Sequence, residues 1–161
     1  MTSRTRSRRG FTLIELMIVV TITSILSLMA APRFTTLMER SALRSSRQQI
    51  EAMIATARAA AIQKGRTATF YVSGQTMGVR AVINDAGATS DLIAPMRLDL
   101  IHKGMSLALA GSGDTTIVFS ARGYATPRLA SKIIYRLTIG SRRDSTCVST
   151  IGHILGQTCA Q

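Results

Sequence analysis

The sequence predicts an α+β chain in which one long N-terminal helix packs on an antiparallel β-sheet domain. Three observations lead to this prediction. Residues 11–31 form an apolar run with a single charged residue, Glu15. Apolar residues then recur at helical spacing as far as residue 62. From residue 67 onward, short β-prone segments alternate with turn residues. A chain of 161 residues accommodates one small domain and one extended element.

The first ten residues, MTSRTRSRRG, carry four arginines and no acid. A basic segment followed by an apolar run is typical of an export signal. The positive-inside rule predicts that these arginines stay in the cytoplasm while the C-terminal domain lies outside. An ordinary signal peptide would be cut after the apolar region, but Leu28 and Met29 stand where that cleavage needs a small residue. The sequence therefore predicts an apolar segment that is retained.

The apolar run is long enough to cross a membrane, because about twenty residues at 1.5 Å each span a hydrocarbon core of about 30 Å. Glu15 lies inside this run. An unpaired carboxylate in lipid costs several kcal/mol, so the position requires a partner. The alternative is a plain signal anchor in which Glu15 reaches back to the lipid headgroups.

The segment Arg8-Arg9-Gly10-Phe11-Thr12-Leu13-Ile14-Glu15-Leu16 resembles the class III signal of type IV pilins and type II secretion pseudopilins. The resemblance implies that prepilin peptidase cuts between Gly10 and Phe11, and that Phe11 is then N-methylated. It also implies that Glu15 pairs with the N-terminal ammonium of a neighbouring subunit, which would supply the missing partner and help to set the subunit register.

Beyond Pro32, which is expected to bend the helix, an amphipathic pattern continues. One apolar face consists of Ile50, Met53, Ile54, Ala57, Ala61 and Ile62. Gly65 follows Lys64 and is a favourable C-terminal stop. We therefore expect four parts: a leader over residues 1–10, a transmembrane or filament-core helix over 11–34, an amphipathic helix over 35–64 and a β-rich part over 67–161. Residues 35–161 would form the periplasmic domain.

Strands are predicted at 67–72, 77–83, 105–109, 116–120, 133–139 and 147–150, with a short last strand at 153–155. The segments between them carry turn residues such as Ser73-Gly74 and Gly140-Ser141. Residues 85–95 are predicted to form a longer loop.

Residues 57–66 resemble the end of the long helix in the GspH/FimT group; they read Ala-Arg-Ala-Ala-Ala-Ile-Gln-Lys-Gly-Arg. The segment at 119–123 is similar to the Phe-x-x-x-Gly turn of the same group. The resemblance implies a minor pilin or minor pseudopilin whose domain is a two-sheet β-sandwich. Some members of the FimT type carry a Gly-Arg-x-Arg motif that contacts DNA. The matching residues here, 152–155, contain no arginine, which weighs against DNA binding.

The formal charge is +12, and without the leader 16 basic and 8 acidic residues leave +8. A basic surface permits contact with nucleic acid, anionic lipid or acidic partners. Arg142 and Arg143, with Arg136 and Arg128, are the candidate phosphate-binding patch. The alternative is a solvated basic strand edge that keeps the chain soluble.

Cys147 and Cys159 are the two cysteines, and export predicts that they form a disulfide; two free thiols are the alternative. We expect no metal site, because only His153 lies between them as a further ligand. Isolated histidines, scattered acids and the absence of a nucleophile elbow or a phosphate loop predict a non-enzymatic protein without a cofactor.

The predicted function is that of a structural subunit in a type II secretion pseudopilus or a type IV pilus. Its partners would be prepilin peptidase, other pilins or pseudopilins, and the inner membrane, in which it would be a single-pass protein before joining the filament. The alternative is a FimT-like DNA-binding minor pilin in natural transformation.

Overall fold

The computed structural model describes residues 11–111 and 116–156, with the backbone alone at residues 29–32. In chain order the elements are α1 (Leu13–Lys64), β1 (Ala68–Ser73), β2 (Thr76–Val82), β3 (Thr89–Arg97), α2 (Leu98–Ile101), β4 (Met105–Gly111), β5 (Thr116–Phe119), β6 (Ile133–Ile139), β7 (Arg142–Val148) and β8 (Ile154–Gly156). The chain divides into two compact units, one ending at Met38 and one beginning at Glu39.

The strands form two four-stranded sheets, with orders β3-β2-β1-β5 and β4-β6-β7-β8. Every pair of neighbouring strands is antiparallel. The predicted fold class, a helix packed on antiparallel sheet, is confirmed, as is the division of the strands between two sheets.

One hydrophobic core joins α1 to both sheets. The buried apolar residues that α1 contributes are Leu43, Ile50, Met53, Ile54, Ala57, Ala60 and Ala61. Phe70 of β1 meets Tyr135 of β6 edge to face, with ring centroids 5.9 Å apart. This contact brings the inner faces of the two sheets together, and such aromatic pairs add to the stabilisation that burial provides.

Both ends of α1 are specified locally. At its start the backbone N–H of Glu15 donates to Oγ1 of Thr12 over 3.3 Å, which is the N-cap geometry of a Thr-x-x-Glu sequence. At its end Gly65 adopts a φ of +61°. The N–H of Arg66 reaches the carbonyl of Ala61, and that of Gly65 the carbonyl of Ile62. This is a Schellman motif, and it confirms the predicted helix end at residue 64.

The prediction of a loop over residues 85–95 is wrong, because β3 occupies Thr89–Arg97. Sequence propensity missed β3 because it is an edge strand, largely exposed, that contains Asp91 and Pro95. Proline is tolerated at edges and bulges, where its missing N–H is not required by a neighbour. The pairing with β2 is irregular between Met77 and Val79, which supplies such a bulge.

Strand β7 begins at Arg142, five residues before the predicted start, and the short helix α2 was not predicted. Three charged residues open β7, and charge at this density is typical of a turn. They are stable in a strand because their side chains alternate between the face toward α1 and the opposite face.

Gln75, in the turn between β1 and β2, joins the two sheets. Its side-chain amide donates to the carbonyl of Leu107 over 3.2 Å and accepts from the N–H of Leu107 over 2.8 Å. Leu107 lies on β4, which is an edge strand. The glutamine side chain therefore occupies backbone groups that a further strand would use.

Tyr135 offers a test of the core. Its ring is fully buried, burial raises the pKa of its hydroxyl, and no described residue accepts or donates a hydrogen bond to that hydroxyl. Because an unsatisfied buried hydroxyl costs about 1–3 kcal/mol, Tyr135→Phe is expected to leave stability unchanged or to raise it by about 1 kcal/mol. Thermal unfolding followed by circular dichroism measures this. A loss above about 1 kcal/mol would show that the hydroxyl is satisfied.

Candidate functional site

The first turns of α1 expose an apolar surface. The large apolar side chains described in residues 11–28 are each at least 49% exposed. They are Phe11, Leu13, Ile14, Leu16, Met17, Ile18, Val19, Val20, Ile22, Ile25, Leu26 and Leu28. Apolar exposure on this scale marks a surface that lipid or another protein covers.

The hydroxyl groups of this segment are satisfied within the helix. Thr21, Thr23, Ser24 and Ser27 each donate to a backbone carbonyl three or four residues earlier, over 2.6–3.0 Å. Side chains that bond to their own helix leave no hydroxyl without a partner in an apolar medium. The segment is thus compatible with lipid despite its threonines and serines.

Glu15 differs from these residues. It is the only charged residue among residues 11–28, and the described part of the chain offers its carboxylate no hydrogen bond or ion pair. Its position three residues after Thr12 places it in the first turn, where the helix dipole favours an acid. The capping role of Thr12 was not foreseen, although the Thr-x-x-Glu spacing signals it.

No single helix among the described residues is both long and apolar enough to cross a membrane. The two stretches Leu13–Leu28 and Arg33–Lys64, taken together as a bent pair, do meet the criteria of length and composition.

In the unit that begins at Glu39, a row of polar contacts fastens α1 to β7. Arg142 donates to Glu39 over 3.1 Å near one end of the row. Arg47 lies 3.2 Å from the carboxylate of Asp144 and 3.6 Å from that of Glu51. The Oγ1 of Thr146, a buried residue, donates to Glu51 over 2.8 Å.

These contacts repeat along one face of β7, at residues 142, 144 and 146, in step with the strand period of two. The Arg47, Asp144 and Glu51 side chains are only 16–24% exposed, so their charges are poorly screened by water. Sequence reasoning missed this network, because no local pattern links α1 to a strand about one hundred residues later.

The candidate phosphate-binding residues do not form one patch. Arg142 faces α1 and pairs with Glu39, whereas Arg143, the next residue on β7, is exposed on the opposite face. Arg136 shares that outer face, since it pairs in register with Ser145. Arg128 lies elsewhere and donates to Oγ1 of Thr150 over 3.3 Å.

Cys147 is a buried residue of β7. Cys159, its predicted partner, and Gly10, the predicted cleavage residue, lie outside the described residues, so both assignments stay predictions. Within residues 11–111 and 116–156, no group of three His, Cys, Asp or Glu side chains could hold a metal ion.

Comparison with known proteins gives two family matches. Residues 5–31 match the prokaryotic N-terminal methylation motif, and residues 46–152 match the type II transport protein GspH. Two crystal forms of the type IV minor pilin FimU from Pseudomonas aeruginosa share the fold. One has a TM-score of 0.60 at 16% identity over 78% of this chain and 95% of FimU. The other has a TM-score of 0.55 at 15% identity over 74% and 95% of the two chains.

Proposed function

The chain belongs to the family of the type II transport protein GspH and is a minor pilin or pseudopilin, and from this premise we propose how it is processed and assembled. Prepilin peptidase cleaves it between Gly10 and Phe11, and Phe11 is then N-methylated. The mature chain remains in the inner membrane with residues 35–161 in the periplasm. It then joins an envelope filament, a type II secretion pseudopilus or a type IV pilus, through its N-terminal helix.

The observation that supports this proposal most strongly is the surface of residues 11–28. Its large apolar side chains are exposed, and its hydroxyls bond within the helix. Such a surface can exchange lipid for the apolar helices of other subunits at little net free-energy cost, because lipid tails and apolar helices both exclude water. Transfer from membrane to filament then depends on contacts that only the filament supplies.

Glu15 supplies such a contact. Its carboxylate has no partner among the described residues, and in lipid it carries a desolvation cost. In the proposed filament it pairs with the N-terminal ammonium of a neighbouring Phe11. Each charge is costly alone and the two compensate each other when subunits stack in register, so the pair favours one register over others.

The families that match this chain are structural, and we propose no catalytic role for it. The DNA-receptor alternative gains no specific support, because Arg142 is engaged by Glu39 on the face of β7 opposite to Arg143.

The cleavage step is tested at Gly10. Because the peptidase must bring its catalytic groups to the Gly10–Phe11 bond, a Gly10→Val side chain is expected to slow cleavage about tenfold or more. Co-expression with prepilin peptidase, followed by intact-mass measurement, shows whether residues 1–10 are lost.

Ser3→Val is the matched control, since it adds similar bulk to the leader away from the bond and should be cleaved at the normal rate. Normal processing of the Gly10→Val chain would contradict the proposed cleavage site.

A further inference from the structure

A groove of about 340 Å³ lies between the C-terminal part of α1 and the turn before β8. On the α1 side its walls include Arg58, Ala59 and Ile62, and on the turn side Gly152, His153 and Ile154. All these residues belong to the unit that begins at Glu39. Neither the exposed apolar surface of residues 11–28 nor the polar contacts between α1 and β7 involve this groove.

The turn side of the groove is firmly built. The N–H of His153 donates to Oγ of Ser149 over 3.0 Å, and the N–H of Ser149 donates to the carbonyl of His153 over 2.8 Å. Gly152 has a φ of +85°, and a Cβ there would lie 2.6 Å from the Phe119 ring. The turn therefore sits directly on the core, and the groove has a fixed shape.

Ile62 is an exposed residue on an apolar stripe of α1 that is otherwise buried. Helical spacing places it on the same apolar stripe as Ile54 and Ala61, which are 1% and 0% exposed. Ile62 is 50% exposed and lines the groove. Nearby, Tyr124 is also 50% exposed, next to Gly123, where an added Cβ would touch Ile62. The groove thus presents an apolar surface that this domain leaves uncovered.

Arg58 gives the groove its charge. Its side chain is half-buried and passes Gly123, where an added Cβ would lie 3.2 Å from Nε of Arg58. Within the described ranges it has no ion pair. His153 lies on the opposite wall and adds a polar imidazole to the groove.

The carboxylates of the domain are already engaged. Each acid described in residues 39–156 has an arginine partner; these acids are Glu39, Glu51, Asp85, Asp91, Asp99 and Asp144. By contrast Arg40, Arg44, Arg58 and Arg122 have no ion pair with a described residue. The uncompensated charge in the described part of this domain is therefore positive, so an acidic partner complements it better than a second copy of the same chain does.

We propose that this groove is the docking site for a different, acidic subunit of the same filament. That subunit places an apolar side chain beside Ile62 and a carboxylate against Arg58. The inference rests on the proposed filament function and deepens it, since it names the chemistry of the neighbour. Arg58 suits this role because a guanidinium can bind a carboxylate through two parallel hydrogen bonds, which fix direction as well as affinity.

The test is photocrosslinking of the full-length chain in cells that assemble the filament. A photoreactive benzoylphenylalanine replaces Ala59, on the exposed wall of the groove. The expected product is a crosslink to another pilin or pseudopilin, at a peptide where an Asp or Glu lies beside an apolar residue. Arg58→Glu is expected to lower the yield about tenfold or more, because it turns an ion pair into a repulsion. Reversing the charge of the crosslinked acid should restore the yield.

Arg136→Glu is the matched control, an equal charge change on the outer face of β6, and should leave the yield within about twofold. Arg58→Gln and the melting temperature of each variant separate loss of docking from loss of folding. Crosslinks formed only with a second copy or with nucleic acid, or a yield that Arg58→Glu does not change, would overturn the proposal. Leader removal is read in the same samples. An uncleaved wild-type chain would refute the proposed function, whereas normal cleavage with an unchanged yield refutes the groove alone.

Discussion

A Glu15→Gln chain is expected to lose its leader normally and yet to enter filaments at least about tenfold less than the wild type. Glutamine keeps the size of the side chain and still fits the third helical position of a capping box, so the start of α1 is preserved. What the variant removes is the negative charge. The N-terminal ammonium of the neighbouring subunit is then left without its counter-ion in a dry environment, which costs several kcal/mol. The measurement is the amount of the chain in sheared filaments relative to that in membranes.

Thr23→Val is the control for this experiment. It changes a polar residue of the same helix, but the Thr23 hydroxyl bonds to the carbonyl of Val19 over 2.6 Å and needs no neighbour. Filament entry of that variant should match the wild type. Equal entry of the Glu15→Gln chain would refute the charge pairing.

The second large effect is expected at Arg47. Arg47→Met removes the cation that lies 3.2 Å from the carboxylate of Asp144 and 3.6 Å from that of Glu51, in a place with little water to screen the charges. Breaking a buried ion pair costs about 3–5 kcal/mol and an exposed one at most about 1 kcal/mol. These side chains are 16–24% exposed, so we expect a loss of about 2–3 kcal/mol. Thermal unfolding of the purified chain, followed by the β-sheet signal in circular dichroism, measures it.

Arg97→Met serves as the matched control, because the Arg97 side chain is 52% exposed in its pair with Asp99. Its cost should be a small fraction of that of Arg47→Met, because water screens an exposed ion pair. Adding Asp144→Asn to Arg47→Met should recover part of the loss, since it removes one of the two carboxylates that Arg47 contacts, while an amide oxygen can still accept from the N–H of Ser145. Equal losses for the Arg47 and Arg97 variants would show that α1 is not fastened to β7 by this ion pair.

Local signals in the sequence predicted most of the fold. The end of α1 was predictable because Gly65 is the residue type that a Schellman motif requires. Strand β6 was predicted at its observed bounds, since Ile133, Tyr135 and Leu137 alternate with less buried residues. The N-terminal methylation motif was recognisable because a charged residue within a long apolar run, here Glu15, is rare.

Features that depend on distant contacts were not predictable. Strand β3 exists because β2 offers it a hydrogen-bonding edge, although its own residues favour a loop. The Arg142 side chain points toward α1, where it pairs with Glu39, more than one hundred residues earlier in the sequence. That Arg142 and Arg143 are neighbours in sequence therefore did not reveal that they lie on different faces. Ile62 fitted the apolar stripe, yet its exposure depends on where the turn at Gly152 lies.

The two hydrogen bonds between Gln75 and Leu107 limit how another chain can pair with the edge of β4. Strand addition, in which one chain donates a β-strand to the sheet of the next, requires a free run of backbone groups at an edge. On β4 that run is interrupted at Leu107 by a side chain of the same molecule. Lateral contacts at this edge therefore depend on side chains rather than on backbone pairing. The same glutamine protects this edge from pairing with the edge of another chain.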